Sequence, residues 1–166
     1  PWNTFWQLLP SIFLAWAFIA LMACFYKATG DDKNIFTLIG FAIAIIYAVI
    51  NSIVYFTVLT VVIPEILSGN HSEVKLLLFE PGKFLFNING LAYTLMSLST
   101  LIASFAFSKR SKESMVKWSM LAHGFLAPFI CSALFWHPFT YIGALWIITF
   151  PLFGIASITY FSKTSE

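Results

Sequence analysis

The chain has 166 residues, of which 60% are hydrophobic, 19% aromatic and only 10% charged, with a formal net charge of +2. A soluble domain carries about a quarter charged residues, so this composition excludes an ordinary soluble fold. The small, scattered net charge excludes a basic nucleic-acid-binding face. Long apolar runs separated by short charged segments are the pattern of an all-α polytopic membrane protein.

Pro1-Trp2-Asn3-Thr4 has neither the basic start nor the small-residue cleavage site of a signal peptide. The chain begins without Met, and a short N-terminal piece, with or without another span, is expected to precede it. The first span covers about 2–26, with Trp2, Trp6 and Gln7 at one end and Tyr26-Lys27 at the other, as interfacial anchors. Pro10 predicts either a kink or an interfacial first segment. In the turn that follows, Gly30 is placed to end the first helix, and Asp31, Asp32 or Asn34 to cap the next.

The second span covers about 35–63 and is longer than a bilayer requires, which predicts tilt or protrusion. Gly40, Ala44 and Ala48 recur at steps of four and form a seam for close helix packing. Tyr47, Asn51 and Tyr55 run beside it, and Pro64 closes the apolar run. In the long connection 65–83, residues 72–80 read as a short interfacial helix capped by Ser72, with Leu76, Leu77, Leu78 and Phe79 dipping into the interface. Pro81-Gly82 breaks it.

The third span, about 84–107, is apolar enough to cross a bilayer yet carries a polar stripe. Asn89, Tyr93, Ser97, Thr100 and Ser104 follow at steps of four and three, which stacks them on one helical face. Such a stripe is costly against lipid and should face other helices or a cavity. A basic loop, Ser108 to Glu113, leads to the fourth span, about 116–136, which contains His123, Gly124 and Pro128. The turn His137-Pro138 leads to the fifth, about 139–161, with Pro151 and Gly154 near its middle and a polar tail after it. The expected architecture is therefore one domain, a bundle of five transmembrane helices with a short interfacial helix between the second and third.

Lys27, Lys33, Lys109, Arg110, Lys112, Lys117 and Lys163 fall on one side of such a bundle, and only Lys75 and Lys83 on the other. The positive-inside rule places the first group in the cytoplasm, so the C-terminus is expected inside and the start of this chain outside. Asn51, Asn87, Asn89 and Tyr93 then fall in the outer half of the membrane, with Tyr55 and His137 nearer the outer surface. Two readings stand for these residues: helix-to-helix hydrogen bonds, or the lining of an outward pocket that holds a ligand.

His123 is the one ionisable side chain deep in a span. It is read either as a structural hydrogen-bond partner or as a functional group able to move a proton or hold a ligand. Cys24 and Cys131 lie in different spans near opposite faces, too far apart for a disulfide, and are expected as free thiols. His71, His137, Glu65, Glu73 and Glu80 gather on the outer side without the spacing of a metal motif, so neither a metal nor another cofactor is expected. No Asp or Glu lies within a span and no Lys lies deep in one, and no nucleophile-elbow, phosphate-loop or CxxC motif occurs. The nineteen Phe and six Trp supply lipid contact or a lipophilic pocket, and Trp146 and Phe150 beside Gly143, Gly154 and Pro151 are placed to form one.

The runs Ala48–Pro64 (AVINSIVYFTVLTVVIP), Gly90–Phe107 (GLAYTLMSLSTLIASFAF), Ala122–Pro128 (AHGFLAP) and Gly143–Pro151 (GALWIITFP) resemble those of small uncharacterised bacterial polytopic membrane proteins. The resemblance implies the inner membrane of a bacterium and no particular activity. Three functions are compatible with the residues. The first is a non-enzymatic protein that binds or translocates a small neutral or lipophilic molecule at Asn51, Tyr55, Asn87, Asn89, Tyr93 and His123. The second is an accessory subunit that pairs with itself or another membrane protein. The third is an intramembrane enzyme using His123. Membrane lipid is the expected surrounding partner, and nucleic acid is not.

Overall fold

The computed structural model describes residues 2–109, 111–136 and 138–162. Arg110, His137, Lys163 and the rest of the polar tail lie outside the described residues, as do the side chains of Trp2 and Lys112. The described structure is all-helical. Its elements are α1 (Trp2–Ala28), α2 (Asn34–Thr57), α3 (Ile63–Leu67), α4 (Phe84–Ala103), α5 (Ser111–Gly124), α6 (Ala127–Ala133), α7 (Phe139–Gly143) and α8 (Trp146–Ser162). Four stretches are long and apolar enough to cross a membrane: Phe5–Ala28, Asn34–Leu67, Phe84–Ala106 and Phe139–Ser162.

Several expected boundaries move. Pro64 does not end the second helix; a π-helical stretch, Val58–Val62, carries the chain into α3, so the apolar helix runs from Asn34 to Leu67. Pro64 offers no N–H to the helical ladder. The turn before it opens to the wider π spacing, in which Ile63 N–H reaches Val58 O, five residues back. The helix ends in a Schellman motif at Gly69, whose φ of 83° needs a residue without Cβ. Gly69 N–H bonds Ile66 O, Asn70 N–H bonds Glu65 O, and the Asn70 amide holds the Glu65 carboxylate at 2.8 Å. At the start of α2, Lys33 is the N-cap and no side chain caps the helix, contrary to the roles expected of Asp31, Asp32 and Asn34.

The interfacial helix expected over 72–80 is a run of turns instead. Its bonds, Glu73 N–H to Asn70 O and Leu77 N–H to Val74 O, span three residues and do not propagate. Val74 is buried, and Leu77, Leu78 and Phe79 pack inward on the second core cluster, leaving Leu76 exposed. Burial of those side chains against the bundle, rather than a helical ladder, holds the segment.

The fourth span is not one helix. α5 stops at Gly124, two residues form a turn, and α6 begins at Ala127 with Pro128 in its first turn. Pro128 has no N–H for the carbonyl of Gly124, four residues back, and its ring crowds that carbonyl, which explains why α5 stops there and why Pro128 sits in a new first turn. A milder break at Ala144–Leu145 separates α7 from α8, upstream of Pro151, which stays inside α8.

The helices pack in the order α1, α2, α4, then α5–α6, then α7–α8. The ring closes through aromatics: Phe18 meets Phe150 and Phe153 from α8, and Phe25 meets Phe153, Tyr160 and Phe161. The seam works as its spacing implies. Gly40, Ala44 and Ala48 are buried, and a Cβ on Gly40 would lie 2.8 Å from Ser99 O and 3.0 Å from the Ala103 Cβ. The outward faces carry Ile46, Val49, Ile53 and Phe56 of α2 and Ile147, Leu152, Ile155 and Ile158 of α8. This apolar exterior is the reverse of the polar outer face of a water-soluble bundle, whereas the core of Phe, Met and Tyr is apolar as in any fold.

Candidate functional site

The core divides into two clusters. One joins Ala15, Phe18, Met22 and Phe25 to Tyr47, Met96, Met120 and Phe153; the other gathers Leu8, Val54, Tyr55, Val58, Val74 and Leu85 towards the 68–83 connection. Between Tyr47 of the first and Tyr55 of the second stands Asn51, on the same face of α2. Opposite it, α4 presents Asn89 and Tyr93.

The Tyr55 and Tyr93 hydroxyls lie 3.0 Å apart in a hydrogen bond between α2 and α4. The Tyr93 ring centre is 5.0 Å from Trp146 at the start of α8 and 6.2 Å from Tyr47. Phe79, from the inward-packed connection, stands edge-on to Tyr55 at 6.1 Å and touches Phe86 at 5.7 Å.

These rings wall a cavity of about 340 Å³. Its remaining lining comes from Asn89 and Gly90 of α4, from Ile130 and Ala133 of α6 with Leu134 after it, and from Thr140, Gly143 and Ala144. Small residues create the room. Gly90 lets Leu134 lie where a Cβ would be, at 2.4 Å, and a Cβ on Gly143 would meet Ile130 at 3.4 Å. A largely apolar cavity of this size with a few convergent polar groups has the composition of a small-molecule site.

Of the residues singled out in the sequence, Tyr55, Asn89 and Tyr93 line this cavity together. Asn51 belongs to the same polar layer without lining it; it is fully buried, and neither its amide nitrogen nor its oxygen has a hydrogen-bond partner. Asn87 does not join them. It is exposed, because two residues before Asn89 is about 200° around the helix.

His123 is also elsewhere. It ends α5, is fully buried, and its Nδ1 lies 3.1 Å from Thr149 Oγ1 on α8, with Phe150 at 5.5 Å. Its Nε2 has no partner. Gly124 lets α5 approach α4 closely, since a Cβ there would sit 2.5 Å from that of Leu101. The lower stripe splits as well. Thr100 and Ser104 bond carbonyls of their own helix at 2.8 and 2.6 Å, whereas Ser99, off the stripe, reaches across to Gly40 O at 2.7 Å. Ser97 is buried and without a partner.

Cys24 and Cys131 are free thiols. Among the described residues, no group of three or more His, Cys, Asp or Glu stands close enough to hold a metal ion.

The cavity residues missed by the sequence reading include Phe79, Phe86, Ile130, Ala133 and Leu134. None carries a local signal, since a ring or aliphatic chain in an apolar run faces lipid as readily as a pocket. Trp146 and Gly143 had one: a large ring close to a small residue in sequence. No protein-family model matches the chain, and neither a curated protein nor a solved structure matches it.

Proposed function

We propose that the chain is a five-span integral membrane protein that binds a small neutral or lipophilic molecule in the Tyr55–Asn89–Tyr93 cavity. The observation that carries this reading is the lining itself: aromatic walls around the polar side chains of Tyr55, Asn89, Tyr93 and Thr140. The broken α5–α6 pair is the fourth span in this reading, and the lysine and arginine distribution puts the cavity in the half of the membrane away from the cytoplasm. Passage of the molecule across the membrane is a further step beyond binding.

The accessory-subunit reading finds less support, because the small-residue seam that would serve it is used within the chain, against α4. The enzymatic reading needs His123 in a cleft with a nucleophile and an orienting acid; His123 is instead buried against Thr149, and it does not line the cavity.

Native mass spectrometry on protein released gently from membranes tests the proposal. A bound neutral molecule is expected on the wild-type chain and is expected to disappear in Asn89→Leu and in Ala133→Trp, which fills the cavity. The same adduct on both variants would reject this cavity as the site. Labelling of a single cysteine at position 70, but not at 33, by a membrane-impermeant maleimide on intact cells tests the orientation.

A further inference from the structure

We infer that the cavity is entered sideways, from the lipid of the bilayer, so that its ligand is a membrane-dissolved neutral molecule rather than a solute taken up from water. The inference rests on the binding role proposed above and adds the route. It follows from which sides of the cavity are covered and which are open.

The 68–83 connection covers the aqueous end. It joins the end of α3 to the start of α4, and Phe84 N–H bonds back to Leu76 O at 3.2 Å, which folds the segment over the bundle. Val74 is buried, Leu77 and Leu78 pack on the cluster of Leu8, Val54, Tyr55 and Leu85, and Phe79 forms the cavity wall on that side. Glu65, Glu73, Lys75, Glu80 and Lys83 lie in or beside this connection and mark it as the hydrated face. None of them lines the cavity.

The flank along α7 is open. Deeper in the bundle, α1 closes the ring against α8, where Phe18 meets Phe150 and Phe153, and Phe25 meets Phe153, Tyr160 and Phe161. All of these α8 residues lie beyond Trp146. At the level of the cavity, the main packing partner of α7 is α6. Thr140 and Ala144, about one turn apart, both line the cavity and are exposed. Around them stand Tyr141, Ile142, Leu145 and Ile148, all exposed and uncharged. No Asp, Glu, Lys or Arg occurs between Lys117 and Lys163. The stretch Phe139–Ser162 is long and apolar enough to cross a membrane, and Trp146 lies about 10 Å along it from Phe139. An opening at that depth, bordered by such side chains, meets hydrocarbon. An ion or a strongly hydrated solute would have to shed its water to pass it. A lipophile already dissolved in the bilayer sheds nothing. Phe79 thereby acts as the residue that keeps water-borne solutes out.

The test uses the full chain in liposomes with Trp146 as its sole tryptophan, Trp2, Trp6, Trp16, Trp118 and Trp136 being replaced by phenylalanine. Two quenchers are compared: phosphatidylcholine with one dibrominated acyl chain, and iodide in the water. The brominated lipid is expected to remove much of the Trp146 emission, and iodide, kept out of hydrocarbon by its charge, very little. Ala133→Phe, which fills the cavity from α6, is expected to lose much of the lipid quenching. Phe79→Ala, which uncovers the aqueous end, is expected to gain iodide quenching while lipid quenching stays the same. Iodide quenching as strong as that by the lipid on the chain with Phe79 intact overturns the inference. So does lipid quenching that Ala133→Phe leaves unchanged. The ratio of the two quenchers before any cavity substitution decides even where a variant does not fold. If the single-tryptophan chain itself does not fold, a bimane on Ala144→Cys, with Cys24→Ser and Cys131→Ser, reports the same ratio. Neither reading needs a bound molecule. Lipid quenching without the adduct in native mass spectrometry rejects the binding role and leaves the route standing; the adduct with iodide quenching does the reverse.

Discussion

The α2–α4 interface has two halves built from the same pair of helices, and they solve opposite problems. Towards the 29–33 turn, Gly40 brings the backbones so close that the Ser99 hydroxyl reaches the Gly40 carbonyl at 2.7 Å. Towards the 68–83 connection, Tyr55 and Tyr93 meet through their hydroxyls, and a cavity opens between them and residues of α6, α7 and α8. In the first half the Ser99 hydroxyl is satisfied across the interface; in the second, both polar atoms of the Asn51 amide and one of Asn89 have no partner. Side-chain volume decides which of the two a helix pair becomes. Glycine and alanine at steps of four allow backbone contact, and tyrosine on the adjacent face prevents it. The close half is suited to stability and the open half to recognition, so substitutions in them should separate the two properties.

The largest effect is expected from Gly40→Leu. The first added carbon would lie 2.8 Å from Ser99 O, a backbone atom that cannot move without shifting α4. Overpacking of this kind costs about 3 kcal/mol, and the thermal midpoint in detergent should fall sharply or folded protein should not be recovered. A midpoint within error of wild type would show that the two helices are not held by backbone contact.

Asn51→Leu should act in the other direction. Both atoms of the Asn51 amide are buried without partners, and leucine is nearly isosteric. Removing two unpaired groups should stabilise the fold by about 1–3 kcal/mol, read from the same unfolding curve. Destabilisation would mean that the amide is satisfied in the folded protein, and the polar layer would then be a structural lock.

Gly90→Ala tests the open half. The new methyl would meet only the end of the Leu134 side chain, which can rotate away from a 2.4 Å contact. Leu134 lines the cavity, so its displacement takes volume from the site. The expected change in stability is below about 1 kcal/mol, together with less of the bound molecule retained in native mass spectrometry. A stability loss as large as that of Gly40→Leu would mean that both halves are equally tight.

How far this comparison was legible beforehand depends on the kind of signal. The seam and the polar stripe are periodic, and period survives folding: Gly40, Ala44 and Ala48 are buried, as are Ser97, Thr100 and Ser104. Tyr55, Asn89 and Tyr93 were legible as a group because depth along antiparallel helices follows from counting residues. Asn87 was misjudged because the depth count ignored its direction around the helix. The break between α5 and α6 was masked by hydropathy, which stays high through Gly124-Phe125-Leu126 although Pro128 leaves the Gly124 carbonyl without its helical partner. The role of residues 72–80 was hidden for a different reason. Leucines that dip into a membrane and leucines that fold back on a bundle have the same sequence, and only tertiary packing of Val74, Leu77 and Phe79 distinguishes them.

The smallest effect is expected from Ser99→Ala. It removes the hydrogen bond to Gly40 O at 2.7 Å and leaves the close approach of the helices untouched. A hydrogen bond between helices in a membrane is worth about 0.6 kcal/mol on average, because the separated helices also find partners for the same groups. The Gly40 carbonyl remains a member of its own helical ladder, so little is left unpaired by the loss. The double variant Gly40→Ala, Ser99→Ala makes the test sharp. If packing rather than the hydroxyl holds this half, Gly40→Ala should dominate, and adding Ser99→Ala should cost no more than its own small increment. A Ser99→Ala loss comparable to that of Gly40→Ala would instead make the hydroxyl the main tie between α2 and α4. The difference between the two halves would then lie in polar satisfaction more than in packing distance.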